Sequence, residues 1–205
     1  HSKGVKTLVI GYYHALSHAG FCLSLLGLAL IASGVFVFYS AGIFVLHHSL
    51  TIPLNIVGYL IFTLAFGNFS GKFFGGFLST RLRPITSLLL TSSIAVICAA
   101  VMLLFALLHE TNVYVIILPM VGYMFSLGST MPVARTHLMN LLHEHTGAAS
   151  GLTGIIIALS ASLMTFVTSH FHIQSIIPVA GILTAITVMA WCLFLLGYWL
   201  FKHEH

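Results

Sequence analysis

The sequence predicts an all-α polytopic membrane protein whose single domain, residues 1–205, contains six transmembrane helices. Hydrophobic residues make up 59% of its 205 residues and charged residues only 5%, and the mean hydropathy is +1.10. A water-soluble domain carries about 25% charged residues, so this composition fits lipid as the solvent. Each apolar segment is long enough for the ~20 helical residues that a bilayer core of about 30 Å requires. The predicted helices are 17–46, 52–77, 85–108, 113–138, 147–168 and 176–200.

The positive charges orient these six segments. We interpret every Lys and Arg as lying at an end of an apolar segment, and threading the segments through a bilayer places them all on one side: Lys3, Lys6, Lys72, Arg81, Arg83, Arg135 and Lys202. The hairpins 47–51, 109–112 and 169–175 on the other side contain none. Short loops rich in Lys and Arg stay in the cytoplasm, so both ends of the chain are predicted to be cytoplasmic.

Glycine and proline mark the individual helices. The first helix is the longest and has Gly27, Gly34 and Gly42 as expected weak points. The second, third and sixth helices begin near a proline, which suits a first helical turn. The fourth contains Pro119 and Pro132, and we expect a kink near each. The fifth opens with a run of small residues from Gly147.

Two helices carry a face of small residues, which lets backbones approach closely in lipid. These glycines are Gly67, Gly71 and Gly75 on the second helix and Gly147, Gly151 and Gly154 on the fifth. Two interpretations stay open at this point. The faces pack tightly, or they slide against a neighbour during a transport cycle.

The acidic residues are few and lie outside the predicted helices: Glu110, Glu144 and Glu204, with no Asp in the chain. Ion-coupled transport commonly uses an acid held within the membrane. A coupling carboxylate would therefore lie outside these residues, or an imidazole would replace it. Most of the 13 histidines fall at predicted helix ends or in loops.

No catalytic or metal-binding pattern emerges from the remaining residues. The pairs in 143–145 and 170–172 each bring two imidazoles together without a third ligand, so we predict no metal site and no cofactor. Cys22, Cys98 and Cys192 lie in apolar segments without metal or redox spacing. Nucleophile-elbow and phosphate-binding glycine motifs are absent from the sequence, so we predict no enzyme. The scattered cations form no basic patch, so nucleic acid is not an expected partner.

Aromatic and soft side chains are predicted at membrane depth on the first and fourth helices: Phe36, Phe38, Tyr39, Tyr123, Met124 and Phe125. Ordinary packing accounts for most of them. The hydroxyls of Tyr39 and Tyr123 each require a polar partner there. A cavity with such walls and few charges would suit large apolar or cationic molecules.

The stretch from Gly75 to Arg83 resembles the loop motif G-x-L-a-D-R-x-G-R-R of the major facilitator superfamily. Gly76, Leu78 and Arg81 match, whereas Thr80 replaces the acid and Arg83 the second glycine. The segments 118–132 and 145–154 are similar to the fourth and fifth helices of second halves in drug:proton antiporters, most closely the bicyclomycin-resistance-type subgroup.

This resemblance implies helices seven to twelve of a twelve-helix transporter in a bacterial inner membrane, with the first six helices in the same polypeptide. Each half of such transporters contains inverted three-helix repeats. The coupling acid is then expected in the first half, the first and fourth helices at a central cavity, and the third and sixth helices facing lipid. The substrate-pathway candidates are Phe36, Tyr39, Tyr123 and Met124.

The leading functional hypothesis is proton-coupled export of small drug-like or toxic compounds by alternating access. A metabolite importer of the same superfamily is the alternative within transport. Outside transport, the chain could be a six-helix membrane scaffold whose glycine faces serve dimerisation. A homodimer of this half acting as a transporter fits less well, because no embedded acid is predicted.

Overall fold

The computed structural model describes residues 11–13, 15–48, 52–108, 112–142, 146–170 and 175–202. Within these ranges, six helices are long and apolar enough to cross a membrane, which confirms the predicted all-α, polytopic fold class. The first, α1, joins the consecutive segments Ala19–Val37, Phe38–Gly42 and Ile43–His48; the others are α2 Leu54–Arg81, α3 Pro84–Leu107, α4 Val113–Leu141, α5 Thr146–His170 and α6 Ile176–Lys202.

The helix starts follow local sequence signals. His18 caps α1, because its Nδ1 accepts a hydrogen bond from the Phe21 N–H at 3.4 Å. The side-chain oxygen of Asn112 accepts from the Tyr114 N–H at 3.2 Å at the start of α4. Proline occupies the first turn of α3, where its missing N–H costs nothing. These caps satisfy some of the N–H groups that a helix leaves open at its start.

An irregular turn interrupts α1. Residues Phe38–Gly42 form a π-helical turn between the α-helical segments on either side. It ends at Gly42, one of the predicted weak points, where an added Cβ would lie 2.6 Å from the ring of Phe38. Such turns are rare and are frequently found at functional sites.

Two helices extend well beyond their predicted ends, by about one helical turn. The α2 helix continues past Phe77 to Arg81, and α4 continues past Leu138 to Leu141. Polar residues in a last turn do not stop a helix, and a basic residue there interacts favourably with the helix dipole. The α4 helix is continuous through Pro119 and Pro132.

The helices pack in a pattern with internal symmetry. The α4 helix packs against α2 and α3, whereas α1 packs against α5 and α6; α1 also contacts α4, and α3 contacts α6. Exchanging α1 with α4, α2 with α5 and α3 with α6 leaves this pattern unchanged. Because three is an odd number of spans, the second set of three helices begins on the opposite side of the membrane from the first. The packing therefore matches two inverted three-helix repeats.

The α2 and α4 helices lie side by side in the same direction at very close approach. A Cβ added to Gly67 would lie 2.9 Å from the carbonyl oxygen of Val121. At Gly71 and Gly75 the added atom would overlap the carbonyl oxygens of Phe125 and Ser129, respectively. Backbone atoms cannot move aside as a flexible side chain can, so the tight-packing interpretation holds for α2.

The glycines of α5 behave differently. A Cβ added to Gly147 or Gly154 would meet nothing within 4 Å, and at Gly151 the nearest atom is the Tyr12 hydroxyl at 3.1 Å. The prediction that this face packs tightly is therefore wrong within the described six-helix unit. Periodicity identifies a face of small residues but not the element that covers it.

The central helices are α1 and α4, which are the most buried, whereas α2 and α5 are the most exposed. The resemblance implied that the third and sixth helices face lipid more than the first and fourth, which stays a prediction; α3 and α6 contact each other and complete a ring with α1 and α4. In this arrangement α2 attaches to α4, and α5 attaches to α1. The outermost helices of the unit are therefore the second helix of each repeat.

Candidate functional site

A cavity of about 620 Å³ lies between α1, α2 and α4. Its volume falls in the range of roughly 300–1,000 Å³ that holds drug-sized ligands. The α2 helix supplies one wall with Phe62, Phe66 and Phe69. These phenylalanines recur every three or four residues and so share one helix face. The cavity joins helices from both three-helix repeats.

The opposite side of the cavity combines one polar and several apolar side chains. From α1 come Val35 and Tyr39, and from α4 come Met124 and Leu127. Tyr39 belongs to the π-helical turn and is partly exposed, whereas Met124 is only 2% exposed. The structure thus brings together two of the predicted substrate-pathway candidates, Tyr39 and Met124.

The other two candidates lie elsewhere. Tyr123 is 1% exposed and donates a hydrogen bond to the carbonyl oxygen of Ile31 at 2.7 Å. Its hydroxyl occupies the space that a Cβ on Gly34 would fill. The Tyr123 side chain therefore joins α4 to α1. Phe36 is exposed on α1 but is not one of the residues that line the cavity. A substrate contact by either residue stays a prediction.

The polar lining of α2 consists of Asn68 and Lys72. The Asn68 side-chain amide donates to the carbonyl oxygen of Met124 at 3.3 Å, which holds it at the α2–α4 contact. Lys72 is exposed, and among the described residues it is the only charged side chain that lines the cavity. The site is therefore an aromatic and apolar cavity with one ammonium group.

Lys72 lies nine residues before the end of α2, farther inside the helix than the predicted end at Phe77 implied. The 28 residues of α2 span about 42 Å at 1.5 Å per residue. A hydrocarbon core of about 30 Å centred on this helix would leave roughly 6 Å at each end. The Lys72 Cα is roughly 14 Å from that of Arg81 along the axis. It therefore lies roughly 8 Å within such a core.

An ammonium group at this depth indicates the environment of the cavity. A charged side chain within the hydrocarbon is costly, most of all at its centre, and such residues almost always face a bundle interior or a water-filled space, or extend toward the interface when they lie near a helix end. The cavity side of α2 is therefore expected to meet water or a polar group. The sequence contains a signal for this position. Counting helical residues back from Pro84, which begins the next helix, places Lys72 several turns inside α2.

The residues that match the superfamily loop motif are mostly helical. Gly76, Leu78 and Arg81 occupy the last turns of α2, and only Leu82 and Arg83 connect α2 to α3. The Arg81 guanidinium carbon lies 5.3 Å from the centre of the Phe77 ring, a cation–π geometry. Leu78 is buried, whereas Gly76 has open space where a Cβ would lie. The segment predicted as a loop therefore terminates a helix.

The described histidines have local structural contacts. His47 Nδ1 lies 2.9 Å from the carbonyl oxygen of Ile52, and His170 Nδ1 lies 3.1 Å from that of Phe166. His137 lies within α4 and is buried, although it was predicted at a helix end. The described part of the chain contains no group of three or more His, Cys, Asp or Glu side chains that could hold a metal. Residues 143–145 and His172 lie outside the described residues.

The described lining offers binding chemistry: a phenol, an amide, an ammonium group and an apolar surface of aromatic and methionine side chains. Together these groups can hold the charged end and the apolar body of a ligand at the same time. No family model, curated protein or solved structure matches the chain. The repeat packing, the cavity and Lys72 are therefore the features from which its function can be inferred.

Proposed function

We propose that this six-helix domain is one half of an alternating-access transporter of small drug-like compounds. The observation that carries the proposal is a drug-sized cavity between membrane-spanning helices, with a lysine in its wall, where two three-helix units of matching packing meet. Transporter folds are commonly built from such repeats and bind substrate near the membrane midplane where the repeats meet. Here α1 and α2 of one repeat and α4 of the other surround the cavity.

The packing also suggests which parts move. The α2 and α4 helices cannot slide past each other without lifting the glycine face of α2 off the α4 backbone. They therefore move as one body, and the cavity opens when the whole domain rocks against a second body. In this proposal the second body is a six-helix half in the same polypeptide, and it contacts the exposed α2 and α5 helices.

The energy source and the direction of transport belong to the same proposal. We infer export driven by protons from the resemblance to drug:proton antiporters. The coupling acid is placed outside this chain, because the three glutamates of the sequence all lie outside the described helices. The aromatic side chains of α2 and the Met124 and Leu127 side chains of α4 support a substrate with a large apolar body.

Water access to the cavity tests this function without knowledge of the substrate. Phe66 and Ile97 are a matched pair: each lies near the middle of its helix, and they are 66% and 62% exposed, respectively. Phe66 lines the cavity, whereas Ile97 lies on α3 and does not. The full native polypeptide, with Cys22, Cys98 and Cys192 replaced by Ala, would carry Phe66→Cys or Ile97→Cys.

Membrane-impermeant methanethiosulfonates, one anionic and one cationic, would then be applied from each side of the membrane. We expect Phe66→Cys to react from both sides and Ile97→Cys from neither, because only the cavity position alternates between the two aqueous phases. Equal protection of both cysteines would mean that the α2 face meets lipid. That result would refute the transporter proposal and favour the scaffold alternative.

A further inference from the structure

We propose that the cavity selects an amphipathic organic anion: an aromatic or otherwise apolar body with one carboxylate, held by Lys72. This inference rests on the transport function proposed above and specifies the substrate class of the same site. It differs from the sequence-based expectation of an apolar or cationic substrate, which assumed a cavity with aromatic and methionine walls and few charges.

The first support is the sign of the charge in the wall. Lys72 is an ammonium group with no carboxylate among the described lining residues. The three glutamates of the sequence lie in the connections or the tail, beyond the described helix ends. A positive charge in the wall of a cleft attracts an anion and repels a cation. The ligand is therefore expected to supply the negative charge, and a cationic ligand is disfavoured.

The second support is the shape of the cavity along α2. Phe62 and Lys72 lie on the same wall, roughly 15 Å apart along the axis. Phe66 and Phe69 lie between them. The wall is therefore aromatic over most of its length and charged at one end. Such a wall matches a molecule with an elongated apolar body and one terminal charge.

The contacts between α4 and α2 indicate where the charged end of the ligand would lie. Gly67 and Gly71 lie against the carbonyls of Val121 and Phe125, whereas Gly128 lies against that of Asn68, so Met124 is level with the turn of α2 that contains Asn68. The Asn68 amide bonds to the Met124 carbonyl in agreement with this register. Lys72 lies one turn farther along α2, so the carboxylate would lie beside Lys72, beyond Met124, at the end of the cavity nearer Arg81.

Tyr39 marks the other end of the cavity. The His47 ring bonds to the Ile52 carbonyl at the α1–α2 connection. Tyr39 lies roughly 12 Å before that point and Phe62 roughly 15 Å after it, so the two are at similar depth. The ligand body would lie between these two rings, with its charge directed away from Tyr39.

Three probes that share one naphthalene body and carry an anionic, a neutral or a cationic one-carbon substituent test the inference: tritiated naphthalene-2-carboxylate, naphthalene-2-carboxamide and naphthalen-2-ylmethylammonium. Equilibrium binding to the full native polypeptide would be measured in nanodiscs of zwitterionic lipid. We expect the carboxylate to bind at least about ten-fold more tightly than the ammonium probe. The variant K72Q should abolish that preference, and K72R, which keeps the charge, should retain it. R81Q is the matched control, because it removes a cation from the same helix but not from the cavity.

The outcomes separate the two proposals. Equal binding of all three probes, or tighter binding of the cation, would overturn the anion inference even if Phe66→Cys is labelled from water. Failure of the carboxylate to bind a protein whose Phe66→Cys variant is labelled would overturn it too. If anionic lipid added to the nanodiscs displaced the carboxylate at Lys72, the site would hold a lipid headgroup, and a small-molecule anion would be excluded. Retention of the preference in K72Q would remove Lys72 from the site.

Discussion

The close contact between α2 and α4 predicts opposite effects for two glycines that lie five positions apart. Gly71 faces the α4 backbone, where an added Cβ would overlap the carbonyl oxygen of Phe125. Gly76, on the same helix, has nothing within 4 Å of that position. Gly71→Ala and Gly76→Ala make the same chemical change, with the same gain in helix propensity, so their difference isolates the cost of separating the two helices.

The magnitude follows from these two terms. Forcing an extra carbon into a well-packed contact costs about 1–3 kcal/mol. Replacing glycine by alanine inside a helix recovers up to about 1 kcal/mol. Gly71→Ala should therefore be less stable than Gly76→Ala by about 1–3 kcal/mol, whereas Gly76→Ala should leave the free energy of unfolding unchanged or raise it by up to about 1 kcal/mol.

The assay is reversible unfolding in mixed micelles with increasing sodium dodecyl sulfate, followed by far-ultraviolet circular dichroism. Extrapolation of each transition to zero denaturant gives the two free energies, and equal slopes show that the variants unfold to the same extent. If Gly71→Ala were as stable as Gly76→Ala, the α2–α4 contact would be looser than the structure has it. The inference that these helices move as one body would fail with it.

Three further predictions concern the tyrosines and the size of the protein. Tyr123→Phe should lower the free energy of unfolding by about 0.6–1.7 kcal/mol, because it removes the hydrogen bond to Ile31; no loss in the same micelle assay would contradict that role. Tyr39→Ala should change the relative transport of different substrates while unfolding stays within about 0.5 kcal/mol; unchanged relative rates would remove Tyr39 from the site. An antibody against residues 201–205 should detect a native polypeptide near twice 22.2 kDa; a product near 22.2 kDa would favour a scaffold or homodimer.

Hydropathy was sufficient to predict the six helices because the bilayer thickness sets the length of each span. It was less informative about where α2 ends. The polar residues before Arg81 suggested an end near Phe77, but helical hydrogen bonding continues to the residues just before Pro84. The observed end places Lys72 farther inside the helix than the predicted end implied, and hydropathy gave no indication that this residue lines a cavity.

The candidate site could be predicted only in part, for a geometrical reason. Adjacent helical residues point about 100° apart, so a run of aromatic residues does not show which member faces a cavity. Met124 lines the cavity, whereas its neighbour Tyr123 is buried against α1. In the same way, glycine spacing identified small faces on α2 and α5 but could not show that only the first is in close contact with a neighbour.

The π-helical turn sets the rotational register of α1. A π turn contains an extra residue, so the segment Ile43–His48 is rotated by about 100° relative to an uninterrupted α-helix. Within the turn, Tyr39 lines the cavity, whereas the hydroxyl of Ser40 lies 2.7 Å from that of Thr168 on α5. Substituting one residue of this turn changes only the contact that its side chain makes. Deleting a single residue from Phe38–Gly42 would turn the whole remaining end of the helix, including the His47 ring at the α1–α2 connection.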